Sequence, residues 1–310
     1  MHRGPLRPAT VAAIFLLVGA GACAQAPDPP PPVAETRPAA MPEATASAQS
    51  PAAQSPATQP AETTRTNDYK PTVGQAGKDV VWVPTPQPLV DRMLNMAKLT
   101  PSDIHFDLGS GDGRTVITAA KRGARSTGVE YNPDMVALSK RLAQQEGMGE
   151  KARFIEGDIF KTDFSNATVL TLFLLAELNV RLRPTILAMK PGTRVVSNTF
   201  KMAEWEPDES QTVTEKEGCT GYCTAHLWIV PANVAGKWRL PDGELQPTQT
   251  FQRVSGTLGS NKVEGSLRGD QITLTAGNAR YTGRVAGNKV TGSVTRGAST
   301  RPFTATRVGS

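Results

Sequence analysis

Between Val80 and Val234 the apolar positions follow two alternating rhythms, and beyond Val234 one of them disappears. Leu89, Val90, Met93, Leu94 and Ala97 recur every three or four residues behind Pro86 and Pro88 and stop before Pro101, which predicts an amphipathic helix. The short apolar run Ile104 to Leu108 reads as a buried strand, Arg114 to Arg122 as a helix closed by Gly123, and Ser126 to Glu130 as a second strand. Asn132-Pro133 supplies a side-chain cap and a first-turn proline for a helix running to Gly147. Ala152 to Ile155, Thr168 to Leu174 and Thr193 to Phe200 are three more strands, with a helical stretch around Pro184 to Met189 before the last. Sustained strand–helix alternation over five strands predicts an α/β domain with a parallel sheet and helices on both faces.

After Val234 the helical period is gone. Thr, Val, Ser and Arg alternate between glycines, and "SNKVEGS" and "GNKVTGS" repeat one pattern, so 235–310 reads as a β-meander of repeated hairpins. Turns are expected at Gly259-Ser260-Asn261 and Gly287-Asn288.

Residues 1–24 carry Arg3 and Arg7, an apolar stretch from Ala9 to Ala22, and small residues at Ala22 to Ala24, the pattern of an export signal. The stretch is shorter than the roughly 20 residues of a membrane span. The chain is thus expected to be exported, periplasmic or envelope-associated, by plain cleavage or with Cys23 as a lipid anchor. Residues 25–66 are Pro, Ala, Thr, Ser and Gln with almost no large apolar side chain, a disordered linker by composition. Cys219 and Cys223 then form an even pair, for which a disulfide or free thiols fit better than zinc, because a fourth ligand is not apparent. No metal is expected. Residues 233–310 hold 11 Lys or Arg against 4 Asp or Glu, a net +7, while the remainder sums to −1. A solvated basic sheet is the plainer interpretation; an acidic envelope partner is the sharper one, and no specific nucleic acid is expected, since aromatic residues are few there.

The chemistry gathers at Asp107-Leu108-Gly109-Ser110-Gly111-Asp112-Gly113, the turn from the first strand into its helix. Glycines at 109, 111 and 113 allow a sharp turn and a close approach to a ligand. A dinucleotide fingerprint needs Gly or Ala where Arg114 stands, which disfavours a nicotinamide oxidoreductase. An acid two residues ahead of the first glycine suits a ligand carrying an ammonium group. Glu130 ends the second strand, placed to accept from ribose hydroxyls, and Asp158 ends the third, placed near an adenine amino group with Ile159 packing on the ring. Asp107, Gly109, Ser110, Gly111, Gly113, Glu130, Asp158 and Ile159 are the expected cofactor residues.

"FDLGSGDGR", "GVEYNP" and "EGDIF" resemble the first motifs of class I S-adenosylmethionine-dependent methyltransferases. The stretch from "VVWVPTPQPLVDRML" to "ATVLTLFLLAELNVRLRPTILAMKPGTRVVSNTF" further resembles the small protein-lysine methyltransferases acting on ATP synthase c subunit and adenine nucleotide translocase, distantly related to the Dot1 type. The resemblance covers about half the chain. It implies a methyltransferase domain over 67–234 with S-adenosyl-L-methionine as cofactor and a seven-stranded Rossmann-like sheet ending in a reversed hairpin, supplied by Ala225 to Val230 and the segment after it. It also implies that Val83-Pro84-Thr85-Pro86 lies over the cofactor pocket, although a proline-bounded lead-in to the first helix accounts for those residues equally well. The expected reaction is in-line methyl transfer to a protein lysine, with no covalent nucleophile.

Phe173, Glu177, Asn179 and Asn198 fall where an acceptor would approach, as candidate catalytic residues, with Phe200 and Trp205 as further walls. Capping of the next helix by Glu177 or Asn179, and a core place for Phe173, fit the same positions. The alternative function is an exported binding protein with this fold whose basic β domain docks it to an envelope component.

Overall fold

The computed structural model describes residues 69–309; the expected export signal, the Cys23 anchor and the linker fall outside these residues. Parallel strands β1 (Ile104–Leu108), β2 (Arg125–Glu130), β3 (Ala152–Glu156), β4 (Val169–Leu172) and β5 (Arg194–Asn198) alternate with helices α1 (Gln87–Met96), α2 (Arg114–Lys121), α3 (Pro133–Gln145) and α4 (Ala176–Leu187). Two further strands, β6 (Glu209–Thr212) and β7 (Thr224–Ile229), complete a seven-stranded sheet in the order β3-β2-β1-β4-β5-β7-β6. β7 runs antiparallel to both of its neighbours. This is the Rossmann-like methyltransferase fold anticipated above.

The local reasons are the ordinary ones. Asn132 Oδ1 accepts from the backbone N–H groups of Asp134 and Met135, capping α3 ahead of Pro133. Leu, Val, Met and Phe from α1 and from β1, β4 and β5 pack into contiguous clusters beneath the helices, beside a few buried polar side chains of the same strands.

Two expectations are corrected. The hairpin partner of Ala225 to Val230 precedes it: β6 pairs with β7, and the segment after β7 leaves the sheet. β6 is an edge strand of Glu, Ser, Gln and Thr with no buried position, so its apolar alternation is invisible. The helix before β5 begins at Ala176 rather than near Pro184, and Pro184 lies inside it. Only Asn179, Leu182 and Ile186 are buried along α4, too few to display a helical period.

Beyond Val234, strands β8 (Lys237–Leu240), β9 (Gly243–Thr250), β10 (Arg253–Leu258), β11 (Asn261–Arg268), β12 (Gln271–Ala276), β13 (Ala279–Ala286), β14 (Lys289–Arg296) and β15 (Ser299–Val308) close into an antiparallel barrel through β15–β8 pairing. Two-residue turns begin with Gly259, Gly269, Gly277, Gly287 and Gly297, each at φ near +60°, as type II′ hairpins require. Inward positions are apolar, with Trp238, Tyr281 and Phe303 filling the lumen, and outward ones are Thr, Ser, Arg and Lys. At Gly292 a Cβ would stand 2.0 Å from the Thr282 carbonyl oxygen, so neighbouring strands pack there as only glycine permits.

The barrel is docked on the sheet domain. Phe251 at the β9–β10 turn stacks on Trp205 with centroids 5.8 Å apart, and the Arg183 guanidinium lies 5.3 Å from the centre of the same Phe251 ring. Ala232 N–H donates to the Gly269 carbonyl, and Gln252 donates to the Glu206 carbonyl at 2.8 Å.

Candidate active site

Strand order decides where the site lies. At the carboxyl ends of β1, β2 and β3 the chain leaves the sheet in turn, and Asp107, Glu130 and Asp158 stand on or just past those ends. All three, with Gly109, Ser110, Gly111 and Ile159, line one cavity of about 380 Å³. Gly113, also expected there, does not line it: it is the N-cap of α2 at φ +80°, where a Cβ would stand 2.6 Å from the Phe154 ring.

Each acid has a distinct environment. Asp107 is buried, its Oδ1 accepts from Thr171 Oγ1 at 2.6 Å, and burial raises its pKa to about 7, with Glu130 and Asp112 adding repulsion. Glu130 accepts the N–H of Gly111 at 2.9 Å on one oxygen and that of Asn132 at 3.0 Å on the other. Each of its oxygens keeps a second lone pair for a ligand hydroxyl. Asp158 accepts from Lys78 Nζ at 2.8 Å and from the Phe160 N–H, and both hold its pKa below the usual carboxylate range.

A polar chain behind Asp107 escaped the sequence reading. His105 is wholly buried two residues before Asp107, so both side chains face the same side of β1. Register sets Ser126 opposite His105 and Thr171 opposite Asp107. Nδ1 of His105 is 2.6 Å from Ser126 Oγ and Nε2 is 2.9 Å from Thr171 Oγ1. Because Thr171 donates to Asp107, it accepts from Nε2–H, and Ser126 then donates to Nδ1. Burial drives the His105 pKa down to about 3, which keeps the ring neutral. Polar residues inside otherwise apolar strands were the available signal.

Residues ahead of α1 cover the cavity. Val83, Pro84 and Thr85 of the segment expected there line it, as does Trp82 before them, whereas Pro86 is the N-cap of α1 and does not. Arg114, in the position that departs from the dinucleotide pattern, donates to the Thr85 carbonyl at 3.0 Å and pairs with Asp112, tying this cover to the glycine turn. Lys78 adds its bridge to Asp158 and sits 4.9 Å from the Tyr131 ring centre.

Of the four candidate catalytic residues, Phe173 alone lines the cavity. Glu177 is exposed in the first turn of α4, where its charge complements the helix dipole. Asn179 is buried and donates to Ser197 Oγ and the Phe200 carbonyl, joining α4 to β5. Asn198 is buried and donates to Thr85 Oγ1 at 3.3 Å, beneath the cover. Neither Glu177 nor Asn179 caps α4, whose N-cap is Leu175. Trp205 is fully buried at the barrel contact and is not a cavity wall. Phe200 does line the cavity, and so does Tyr222, which the sequence reading missed. Cys219 and Cys223 are joined in a disulfide that closes the loop around Tyr222.

The donor set fits S-adenosylmethionine. The glycine turn is surrounded by acids, and among the described residues Asp107 Oδ2 has no hydrogen-bond partner and suits an ammonium group, while the cations lining the cavity, Lys78 and Arg114, are paired with Asp158 and Asp112.

Residues 107–209 match the ANTKMT methyltransferase domain. A protein-lysine N-methyltransferase of Saccharolobus islandicus is 39% identical over 154 residues, covering 49% of this chain and 94% of that protein. The lysine N-methyltransferase of the ATP synthase c subunit from Caenorhabditis elegans is 37% identical over 118 residues, covering 37% of this chain and 62% of that one. Among solved structures, an RNA methyltransferase from Salinibacter ruber in complex with S-adenosyl-L-homocysteine is 43% identical, with 49% of this chain and 96% of that chain covered and a TM-score of 0.46.

Proposed function

The chain belongs to the S-adenosylmethionine-dependent protein-lysine N-methyltransferase family, and from that premise we propose that it methylates the side-chain amine of a lysine in a protein. The observation that supports this most directly is the convergence of Asp107, Glu130 and Asp158 with an aromatic group, Phe173, Phe200 and Tyr222, on one cavity.

Bound S-adenosylmethionine supplies an electrophilic methyl group on a sulfonium, which an amine lone pair takes by in-line displacement while the sulfur keeps the bonding pair. In this reading Asp107 holds the ammonium end, Glu130 the ribose hydroxyls, and Asp158 with Ile159 the adenine. The glycine turn lets the backbone approach, and the 82–85 cover excludes water. The aromatic rings face the acceptor side. They attract an alkylammonium through their π faces, which holds it as it arrives, and loss of its water acts in the opposite sense and favours the neutral amine that reacts.

Calorimetry on the full chain with S-adenosylmethionine and S-adenosylhomocysteine tests the cofactor half. Binding on the micromolar scale, roughly −8 kcal/mol, is expected, weakened at least tenfold by Asp107→Ala and by Glu130→Ala. Transfer of labelled methyl to lysine peptides or whole protein extract tests the acceptor half; labelling of RNA with none of protein would overturn it. Export is part of the same proposal, supported by the basic start, the apolar stretch to Ala22 and the disulfide. Cell fractionation that recovers the full chain in the cytosol, with both thiols reduced, would remove that part.

A further inference from the structure

The five-residue loop Cys219-Thr220-Gly221-Tyr222-Cys223 joins a core anchor to an exposed ring. Cys219 is buried among Leu89, Met93 and Val213, and Cys223 packs against the same cluster. Between them Gly221 and Tyr222 both adopt left-handed backbone, at φ +77° and +54°. Two such residues in succession are unfavourable for a free chain, by about 1–3 kcal/mol at the tyrosine, and persist only where the surroundings impose them. The covalent ring between 219 and 223 encloses both residues here.

The outcome is a placed aromatic side chain. The Tyr222 ring is edge-on to Phe173 at 5.5 Å and 6.2 Å from Phe200, while Phe173 and Phe200 are 6.3 Å apart. Phe173 directly follows β4, Phe200 stands two residues after β5, and Tyr222 stands two residues before β7, inside the loop that the disulfide closes. It is 49% exposed, so the group opens to solvent on Tyr222's side. All three rings line the cavity that Asp107 also lines.

We infer that Tyr222, held in place by the Cys219–Cys223 disulfide, is a specificity-determining wall of the acceptor site, and that reducing the bond with a dithiol weakens acceptor binding while leaving the cofactor end intact. The inference rests on the lysine-acceptor reading above. Three rings in mutual contact present π faces and edges to one space, the arrangement that favours a desolvated alkylammonium over a neutral chain of the same length. Reduction by a dithiol converts the bridge to two thiols and leaves a cyclic disulfide on the reductant. Once open, the loop no longer imposes the left-handed pair at 221 and 222. Asp107, Glu130 and Asp158 sit on β1, on β2 and just past β3, and share no covalent link with that loop.

The test uses the full-length protein and two probes, Nα-acetyl-lysine methylamide and its uncharged norleucine analogue, followed by NMR saturation transfer with and without S-adenosylhomocysteine. The oxidised wild type should bind the lysine probe in preference to norleucine. Tyr222→Ala, and the wild type after dithiol treatment, should bind it about 3- to 30-fold more weakly, the range of one cation–π contact. Tyr222→Phe should restore binding, and calorimetric affinity for S-adenosylhomocysteine should stay within twofold throughout. A Cys219→Ser, Cys223→Ser double variant should match the reduced protein; circular dichroism checks its fold, and reduced wild type and Tyr222→Ala decide the matter if it misfolds. Equal lysine-probe binding by the oxidised wild type and Tyr222→Ala, equal binding before and after reduction, or no preference over norleucine would each overturn the inference. Absence of S-adenosylhomocysteine binding by folded wild type would instead strike the methyltransferase reading, because the lysine probe is scored without it as well.

Discussion

Asp107 shows how a residue can be both costly to fold and well suited to bind. Burial raises its pKa to about 7 and the neighbouring Glu130 and Asp112 disfavour its charge further, while the hydroxyl of Thr171 opposes them. A carboxyl raised in this way contributes stability that is present at low pH and lost as pH rises through about 7. An ammonium ligand has the opposite preference, since it needs the carboxylate. S-adenosylhomocysteine affinity is therefore expected to rise with pH up to about 7 and level off above it, with a limiting slope of roughly tenfold per unit below the midpoint. Thr171→Val removes the one hydrogen bond that favours the carboxylate and should move the midpoint upward. Calorimetry across pH 5.5 to 8.5 reads both; a flat profile in wild type would show that Asp107 does not meet the ammonium. The neutral His105 behind Thr171 would not contribute to that titration, because its own pKa lies near 3.

At the scale of elements, the segment ahead of α1 is held by three separate attachments. Gly74 to Trp82 forms a small hairpin with Trp82 N–H donating to the Gln75 carbonyl at 2.9 Å and an antiparallel bridge between Ala76 and Val81. Its tip is pinned by Lys78 to Asp158, and its base by Arg114 and Asn198 to Thr85. Lys78→Ala should free the tip alone. Backbone amide exchange from Gly74 to Trp82 is then expected to speed up by a factor of a few in the absence of cofactor, with β1 and β4 unchanged; an exposed ion pair warrants no larger effect. Unaltered exchange would mean the hairpin holds itself. Candidate site residues sort by the same logic: Asn179 in α4 and Asn198 at the end of β5 act as ties between elements, and nothing about an asparagine in such a position distinguishes a tie from a ligand contact until its partners are known.

The described residues form a sheet domain with a closed barrel fastened on it, and no barrel residue among them lines the cavity. The fastening is mainly aromatic: Phe251 stacks on Trp205, which stands against Trp228, whose indole N–H donates to the Trp205 carbonyl at 2.7 Å. Phe251→Ala should lower unfolding stability by about 2–3 kcal/mol, from lost apolar burial and one aromatic pair. Thermal or urea unfolding measures this, and S-adenosylhomocysteine affinity should remain within twofold. A large loss of affinity would show that the barrel supports the cavity through the Trp205 contact. Barrel closure itself depends on glycine at 256, 265 and 292, where a Cβ would stand within 2.1 Å of a carbonyl oxygen on the neighbouring strand.

Much of this was readable from the chain alone, and the physical reason is locality. The Asp107–Gly113 turn, the acid at the end of β2 and the acid after β3 are encoded by short-range spacing, because a glycine turn between strand and helix has few alternatives. The periods of α1 to α3 are legible because each of these helices buries one face, and β1, β4 and β5 are legible as short apolar runs because they are buried on both. The Gly-first hairpin turns at Gly259 and Gly287 were legible too, while those at Gly269, Gly277 and Gly297 were not; nor was the closure of eight strands into a barrel, since β15–β8 pairing joins segments about 70 residues apart. Edge strand β6 and the length of α4 were hidden because burial, the signal of periodicity, is nearly absent from them. The His105–Thr171–Asp107 chain required inter-strand register, and the meeting of Tyr222 with Phe173 and Phe200 required three loops to converge. Spacing along the chain determined which chemistry the cofactor end carries; only tertiary packing decided which side chains line the cavity as walls and which merely hold the scaffold.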